Sequence, residues 1–591
     1  YKNLFRNNQS KLVSVQARPL EWVRNVAKRS LPTSPSNGYA PASVDCPPIR
    51  PTIRKADGLS AQEVSWLQHR RKKTTKPLIN WLKRASIADF DVSSYIKSLI
   101  NDSIDIPNVA IAFSGGGYRS LMNGAGFLAA ADSRTKDATN AGHIGGLLQS
   151  TTYMAGLSGG GWLVGSIYAN NFSTVEKLQM GSSNSSVWQF QNSIFEGPDG
   201  QYTRIIDTAE YIKTIKNNVQ SKQKAGFNIS VTDFWGRALS FQLVDAKDGG
   251  PSHTFSSISL QPDFQDGLIP FPILVAINRK PGNNVVSINS TVVEMNPYEL
   301  GSWDSRAAVF APMTYVGSDF ISGSVPVGGK CVQGFDQVGF IMGTSSTLFN
   351  QIIMRIGGGV PQFLREAVLD LSNSDNDVAQ YQPNPFYGFD SSVNENSESS
   401  EIPLVDGGED GQNIPLWPLL QPERRVDVIF AIDSSADTSD NWPNGTSLVA
   451  TYERSLDKTI SNDISFPPVP DQNTFVNLGL NKSPTFFGCN ASNTTNETPL
   501  IIYIPNSNYI THSNVSTFQA KYDKNQRDLI IRNGYDVATL ANGTNDSQWH
   551  TCIGCAVLSR SFIRSRIGIP SACQACFQHY CWDGKRDSRD L

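Results

Sequence analysis

The sequence has no long apolar stretch. A membrane-spanning helix needs about 18 or more consecutive apolar residues, and the longest apolar runs here, such as residues 271–277, have only the length of a strand. The first 29 residues lack the apolar centre of a signal peptide, and the last seven lack the hydrophobic tail of a lipid-anchor signal. We therefore expect no membrane-spanning helix, and we interpret residues 1–43 as a basic, proline-rich arm or pro-segment.

A large excess of charge of one sign is also absent. The chain has 50 Lys and Arg residues against 53 Asp and Glu residues, and its net charge is −3. A nucleic-acid-binding protein needs a basic surface that meets the phosphates, so no nucleic-acid partner is expected. Contact with a membrane surface stays open, because a local patch can differ from the net charge.

Cysteine is scarce except at the end of the chain. Five of the eight cysteines fall in the last forty residues, as two Cys-x-x-Cys pairs and Cys581. Such pairs bind zinc in cytosolic proteins and form disulfides in oxidising compartments. We expect disulfides rather than a metal site, with at least one of these five cysteines bonded outside the group, since five is odd.

Asn-x-Ser/Thr sequons favour the oxidising compartment. The chain has fourteen of them, three of which are packed between residues 490 and 498. Because N-linked glycans are attached to surface loops of secreted proteins, we predict a secreted glycoprotein. The sequons begin at Asn8, Asn101, Asn171, Asn184, Asn228, Asn289, Asn444, Asn481, Asn490, Asn493, Asn496, Asn514, Asn542 and Asn545.

Short apolar runs alternate with helical patterns through most of the chain. The runs cover residues 108–113, 151–155, 272–277, 426–432 and 501–504. Continuous apolar runs of this length are typical of strands that are covered by helices on both faces. We predict an α/β fold with three α/β/α layers and a central, mostly parallel sheet over residues 44–540. Residues 170–264 are interpreted as a cap insertion, and residues 541–591 as a Cys-rich C-terminal extension.

The segment Gly156-Leu157-Ser158-Gly159-Gly160 has the pattern of a nucleophile elbow. It follows a strand-like run and precedes a helix-like one, which is the context in which a serine is exposed on a tight strand-to-helix turn. Tiny neighbours two residues before and two residues after the serine allow this turn. Ser158 is therefore the candidate nucleophile; the alternative is a glycine-rich start of a helix.

A second glycine-rich loop lies upstream, at Ser114-Gly115-Gly116-Gly117. Successive glycines free backbone N–H groups to converge on one point, as in an oxyanion hole. The loop matches neither nucleotide-binding fingerprint, because no Lys-Ser/Thr pair follows a spaced glycine and Ser120 stands where the last glycine of G-x-G-x-x-G would be. Arg119, at the start of the next helical pattern, suits bidentate phosphate recognition; the alternative is a surface salt bridge.

Asp406 ends a predicted strand and is followed by two glycines. An Asp-Gly-Gly segment alone is a common turn. Beside a serine elbow and a triple-glycine loop, however, Asp406 becomes the natural general base. Its ordinary pKa near 3.9 is low for that task, and a dry, lipid-filled site would raise it by desolvation.

Together these segments resemble the fungal phospholipase B (lysophospholipase) family, whose catalytic fold is similar to that of the cytosolic phospholipase A and patatin enzymes. The matching segments are SGGGYR at 114–119, GLSGGGW at 156–162 and DGGEDGQNIPLWPL at 406–419. EMNPYELGSW at 294–303 and FAIDSSADT at 430–438 also match, and the resemblance spans residues 36–581.

The resemblance implies a Ser158–Asp406 dyad that cleaves acyl esters of phospholipids and lysophospholipids at a membrane or micelle surface. It also implies an oxyanion hole from the N–H groups of Gly116 and Gly117, which Gly159 after the nucleophile would join, and contact between Arg119 and the substrate phosphate. No cofactor and no metal are expected, since no Asp-rich calcium loop is present. Many fungal members end in a Ser-rich stretch and a lipid anchor, which this sequence lacks, so release to the medium or the cell-wall space is expected.

Two alternatives stay open from the residues. A conventional α/β-hydrolase would need a histidine after the acid, and His512, His550 and His579 are available, although none has a recognisable loop context. A non-catalytic lipid- or glycan-binding wall protein is the other alternative, and it requires three catalytic-type motifs without turnover.

Overall fold

A mixed β-sheet organises the chain in the computed structural model. The structure describes residues 34–180, 187–198, 207–279, 286–350, 377–462, 464–489 and 498–591. Most of the predicted N-terminal arm, parts of the predicted cap, and the sequons at Asn8, Asn184, Asn490, Asn493 and Asn496 lie outside these residues.

The elements are numbered here in chain order. The strands are β1 Ala42–Val44, β2 Arg54–Lys55, β3 Val109–Phe113, β4 Thr151–Gly156, β5 Phe271–Asn278, β6 Thr291–Met295, β7 Glu299–Gly301, β8 Val309–Pro312, β9 Cys331–Gln333, β10 Ala379–Tyr381, β11 Ile402–Asp406, β12 Val428–Asp433, β13 Thr485–Phe487 and β14 Leu500–Pro505. The helices before β5 are α1 Ala61–Arg84, α2 Val92–Asn101, α3 Gly117–Ala131, α4 Leu147–Ser150, α5 Ser158–Ala169, α6 Val175–Met180, α7 Thr208–Lys224, α8 Val231–Leu243 and α9 Pro262–Gln265.

The helices after β5 are α10 Val338–Thr344, α11 Thr446–Leu456, α12 Gln472–Asn477, α13 Lys524–Thr539, α14 Trp549–Ser565 and α15 Ser571–Tyr580. Short 3-10 turns occupy Lys247–Gly249, Ser256–Leu260, Met313–Tyr315, Trp417–Leu420 and Pro422–Arg424. Among the described residues, no helix combines the length and apolar character needed to cross a membrane.

Parallel strands form the centre of the sheet. Among the described residues it has twelve strands, and its middle runs β14-β12-β3-β4-β5 with every neighbouring pair parallel. These central strands are buried along their whole length, which explains their continuous apolar sequences. Antiparallel strands extend the sheet at both edges, as β13 on one side and β6, β7, β8 and β2 on the other. The predicted α/β class with a mostly parallel central sheet is confirmed.

The register of three strands sets up the site. In the parallel pair β4–β5, Gly156 lies opposite Leu274. Strand β11 runs antiparallel to β5, with Asp406 opposite Ala276. The end of β4 and the end of β11 therefore reach nearly the same level along β5. Because β3 and β4 are parallel neighbours, the loops at their carboxyl ends open at the same edge of the sheet, where ligands bind in α/β folds.

Four disulfides connect the chain, and no cysteine is free. Cys552–Cys576 and Cys555–Cys573 join α14 to α15, and Cys489–Cys581 ties the end of α15 to residues after β13. Cys46–Cys331 joins β9 to the residues just after β1. The prediction of disulfides with a partner outside the last forty residues is confirmed, and the zinc alternative for the Cys-x-x-Cys pairs is wrong. Helix α14 packs against β12 and β14.

Candidate active site

Ser158 occupies a strained turn between β4 and α5. Its φ is +49°, a left-handed conformation that a non-glycine residue rarely adopts. The turn closes tightly, because a Cβ on Gly156 would lie 2.4 Å from the Gly160 carbonyl oxygen. A Cβ on Gly160 would lie 2.3 Å from the Phe113 carbonyl oxygen. The strand–turn–helix geometry that the glycine spacing predicts is therefore present, and strain of this kind is typical of functional sites.

Ser345 fixes the backbone of this turn. The N–H of Ser158 faces both the carbonyl oxygen of Ser345 at 2.9 Å and its hydroxyl oxygen at 3.1 Å. The Ser345 hydroxyl donates in turn to the Val275 carbonyl of β5 at 2.6 Å. We did not identify Ser345 from the sequence. The signal in the sequence is the run of hydroxyl residues 344–347, which begins at the last residue of the apolar helix α10.

The segment from Ser345 to Thr347 also binds the backbone of the loop that begins at Asp406. Asp406 is the last residue of β11, and its N–H donates to the Thr347 hydroxyl at 2.7 Å. The N–H of Gly407 donates to the Ser345 carbonyl at 3.3 Å. Ser345 therefore contacts both the serine turn and the acid loop, and together with Thr347 it fixes their spacing.

The Asp406 carboxyl lies buried beside Ser158. Burial raises its pKa to about 6, while interactions with the Gly408 N–H, the Ser158 hydroxyl and the Leu348 N–H offset part of the rise. Oδ1 accepts from Gly408 at 3.0 Å, whereas Oδ2 is buried and has no partner with hydrogen-bond geometry among the described residues. The hydroxyl is thus near the carboxyl without a fully formed hydrogen bond, as is common before a substrate binds. An ionised carboxyl with a free oxygen is able to accept a proton at neutral pH.

Two helix N-termini meet in front of Ser158. Gly116 precedes α3 with φ +137°, and Gly117 begins that helix with φ +61°. Gly159, the second residue of α5, lies against Gly117, since a Cβ on Gly159 would be 2.1 Å from the Gly117 carbonyl oxygen. In α5 the Ser158 N–H donates to Ser345, and the Gly160 N–H donates to the Ser114 carbonyl at 3.1 Å.

The N–H groups of Gly116, Gly117 and Gly159 therefore stand at positions that have no partner within their own helices. Both helix dipoles favour negative charge at this point. Gly116 and Gly117 at the start of α3 thus lie next to Gly159 at the start of α5. Their role as an oxyanion hole stays a prediction.

Arg119 is fully buried behind the glycine loop. Its Nε donates to the Ser434 carbonyl at 2.8 Å and its Nη1 to the Val515 carbonyl at 2.7 Å. Nη2 is buried and has no partner among the described residues, and a Cβ on Gly116 would lie 2.6 Å from it. Burial lowers the Arg119 pKa to about 10, so the guanidinium keeps its charge at neutral pH. The alternative of a surface salt bridge is wrong, because the side chain is buried and its bonds run to carbonyl groups.

Comparison of the sequence with known proteins identifies the family of the chain. The family model for the lysophospholipase catalytic domain matches residues 109–587. The chain belongs to the lysophospholipase family. A lysophospholipase 1 of Aspergillus fumigatus is 55% identical over 569 residues, which cover 95% of this chain and 90% of that protein. A lysophospholipase of Arthroderma benhamiae is 55% identical over 570 residues, covering 95% of this chain and 88% of that protein.

A solved structure shares the fold of this lysophospholipase-family enzyme. Human GIVD cytosolic phospholipase A2 aligns with a TM-score of 0.63 over 89% of this chain and 72% of that chain. The identity is only 16%, so the likeness concerns the fold. The motifs predict a resemblance to the fungal lysophospholipases and to the fold of cytosolic phospholipase A, and both are confirmed.

All six histidines of this lysophospholipase-family chain lie in the described residues, and none is bonded to Ser158 or Asp406. His512 contacts Asn508 at 3.3 Å, and His579 lies 3.4 Å from the Asp546 carboxylate. His550 is buried beside Trp81, and burial lowers its pKa to about 4. The structure therefore does not bring any of the three candidate histidines of a triad to the serine.

Proposed function

We propose that this chain is a secreted lysophospholipase and phospholipase B that hydrolyses acyl esters to free fatty acid through a Ser158–Asp406 dyad. The observation that carries the proposal is the pairing of Ser158, on its strained turn, with the buried Asp406 carboxyl, whose Oδ2 has no partner among the described residues. The family relatives named above support the ester substrate.

The proposed reaction begins with attack by Oγ of Ser158 on the ester carbonyl carbon. The hydroxyl proton passes to Oδ2 of Asp406 as the Oγ–carbon bond forms. The negative charge that develops on the carbonyl oxygen is stabilised by the N–H groups of Gly116, Gly117 and Gly159. When the tetrahedral intermediate collapses, the leaving alkoxide takes the proton from Asp406, and the acyl group stays on Ser158.

Hydrolysis of the acyl-enzyme repeats these steps with water. Asp406 takes a proton from the attacking water, the second tetrahedral intermediate forms in the same oxyanion hole, and Ser158 leaves as fatty acid is released. Ser158 recovers its proton from Asp406, so the enzyme returns to its starting state. Nη2 of Arg119 is the group that we assign to the substrate phosphate, since its other two nitrogens already bind carbonyl groups.

Secretion and glycosylation are part of the same proposal. Four disulfides fit an oxidising compartment, and sequon residues Asn101, Asn228 and Asn289 are exposed. Asn481 is only 7% exposed, and its side-chain nitrogen donates to the Pro443 carbonyl at 3.1 Å, so we expect no glycan there. The substrate would be met at a membrane or micelle surface.

The test is fatty acid release from lysophosphatidylcholine and phosphatidylcholine by the purified protein. Ser158→Ala should reduce the rate at least about a thousandfold, as removal of a nucleophile does in serine hydrolases. Ser455→Ala is a matched control, because that hydroxyl bonds only to the Tyr452 carbonyl of its own helix. A serine-directed phosphonate should label wild type at Ser158. Substantial turnover by Ser158→Ala, or labelling of another serine, would rule out the assignment.

A further inference from the structure

Two buried hydrogen-bond donors near the glycine loop lack acceptors. Nη2 of Arg119 and the hydroxyl of Tyr522 both have no partner among the described residues. Arg119 is 0% exposed and Tyr522 is 1% exposed. Buried donors are almost always paired, because leaving one unpaired forfeits its hydration. Arg119 lies on α3, and the ring of Tyr522 packs against Tyr118 of the same helix. Two such donors beside the start of α3 indicate a site for a ligand that supplies acceptors.

Backbone and ring contacts fix Tyr522 next to helix α3. It precedes α13, and its N–H donates to the Phe190 carbonyl at 2.7 Å. Its ring packs against the ring of Tyr118, the residue before Arg119, with 5.7 Å between the centroids. The hydroxyl is therefore fixed by packing, although it has no hydrogen bond of its own.

The Arg119 guanidinium and the Tyr522 phenol each influence the pKa of the other. Burial raises the pKa of Tyr522 well above its ordinary value, and the Arg119 charge opposes that rise. The Arg119 pKa is lowered by burial to about 10 and raised by Tyr522, Asp433 and Asp437. At neutral pH the pair therefore presents one cationic donor and one neutral O–H donor.

We propose that the Tyr522 hydroxyl and Nη2 of Arg119 together bind the phosphate of the lysophospholipid substrate, which makes Tyr522 a headgroup-binding residue. This inference rests on the proposed function and extends its phosphate site by one residue. A phosphodiester has two free oxygens that share one negative charge. One guanidinium N–H and one O–H donor match these two acceptors, and hydrogen bonds to a charged group are the strong ones.

The position of the pair also fits a phosphate better than the reacting carbonyl. Nη2 lies on the Gly116 side of the loop, whereas the predicted oxyanion donors are backbone N–H groups at the starts of α3 and α5. In a lysophospholipid the phosphorus is separated from the ester oxygen by the glycerol carbons. A donor pair beside the oxyanion loop, rather than within it, is therefore suited to the phosphate.

The test compares Tyr522→Phe with wild type on two substrates that share one acyl chain, lysophosphatidylcholine and the neutral monoacylglycerol. The variant removes one oxygen and keeps the ring. We expect kcat/KM to fall about tenfold or more for lysophosphatidylcholine and less than twofold for monoacylglycerol. Tyr535→Phe is the control, because it also removes a tyrosine hydroxyl, one that contacts Nδ1 of His143 at 2.8 Å, and it should leave the ratio of the two rates unchanged.

A binding measurement separates the headgroup from free phosphate. Ser158→Ala is titrated with glycerophosphocholine and with inorganic phosphate by calorimetry, with and without Tyr522→Phe. Loss of glycerophosphocholine binding in the double variant supports the inference, whereas binding of inorganic phosphate alone would show an anion site that does not serve the substrate. Equal losses on both ester substrates would assign Tyr522 to the oxyanion or to folding and overturn the inference. Wild type without activity on lysophosphatidylcholine would instead overturn the proposed function.

Discussion

Gly115 and Asn413 are joined by two hydrogen bonds, one donated by each residue. The Gly115 N–H donates to the Asn413 carbonyl at 2.9 Å, and the Asn413 side-chain nitrogen lies 3.2 Å from the Gly115 carbonyl oxygen. The same nitrogen donates to the Ser435 hydroxyl at 2.8 Å, and a Cβ on Gly408 would lie 2.4 Å from Oδ1 of Asn413. Asn413 thus connects the glycine-rich loop at 114–117, the turn at Gly408 and the loop after β12.

Removing this connection should affect the reaction more than substrate binding. Asn413→Ala keeps the backbone bond from Gly115 but removes the side-chain bonds to the Gly115 carbonyl and to the Ser435 hydroxyl. A small displacement of oxyanion donors is costly. We expect kcat on lysophosphatidylcholine to fall about tenfold or more with little change in KM. Asn384→Ala is a matched control, because the side-chain nitrogen of Asn384 also donates to two groups, the Asn396 and Ser399 carbonyls, in another loop. A fall in kcat no larger than that of Asn384→Ala, after correction for any loss of folded protein, would contradict the positioning role.

A second prediction separates the dyad from a triad. Asp406→Asn keeps the shape of the side chain but cannot accept a proton, so it should be as damaging as Ser158→Ala in fatty acid release. Alanine variants of His512, His550 and His579 should each keep activity within about tenfold, or 1.4 kcal/mol of barrier. A folded histidine variant that is as inactive as Ser158→Ala would restore the conventional hydrolase mechanism.

The pH dependence follows from the buried carboxyl. The base form of Asp406 is the ionised form, and burial raises its pKa to about 6. The value of kcat/KM should therefore be constant near neutral pH and fall about tenfold per pH unit below pH 6. The charge of Asp410 contributes to the rise, so Asp410→Asn should move this acidic limb to lower pH. An acidic limb that stays in place in Asp410→Asn, or one near pH 4 in wild type, would contradict this account.

Local rules explain what the sequence could predict. The turn at Ser158 was predictable because a strand-to-helix turn of this kind demands tiny residues at 156 and 160. The central strands were predictable because burial on both faces makes them apolar throughout. Asp406 was a weaker prediction, since Asp-Gly-Gly alone is an ordinary turn. It depended on the neighbouring motifs and on the resemblance.

Contacts between distant segments explain what the sequence could not show. Ser345 bonds to a residue 187 positions earlier, and no local pattern marks that partner. The bonds of Arg119 to the Ser434 and Val515 carbonyls arise only because α3, the loop after β12 and the segment before α13 meet in the fold. The partner of Cys581 was likewise beyond spacing rules, because disulfide connectivity cannot be deduced from sequence alone.

The disulfides should differ strongly in their effect on stability. Cys46–Cys331 closes a loop with a sequence separation of 285 residues, whereas Cys555–Cys573 lies inside the loop of Cys552–Cys576. In the chain-entropy account a loop of that length is worth about 5–6 kcal/mol, while a nested bridge constrains the unfolded chain much less. Replacing both cysteines of Cys46–Cys331 by alanine should therefore lower Tm clearly more than the same replacement at Cys555–Cys573. Thermal unfolding of the two double variants at one scan rate measures the difference. Cys331, Cys555 and Cys573 are all fully buried, so lost packing affects both variants, and equal Tm values would show that loop closure does not determine the ranking.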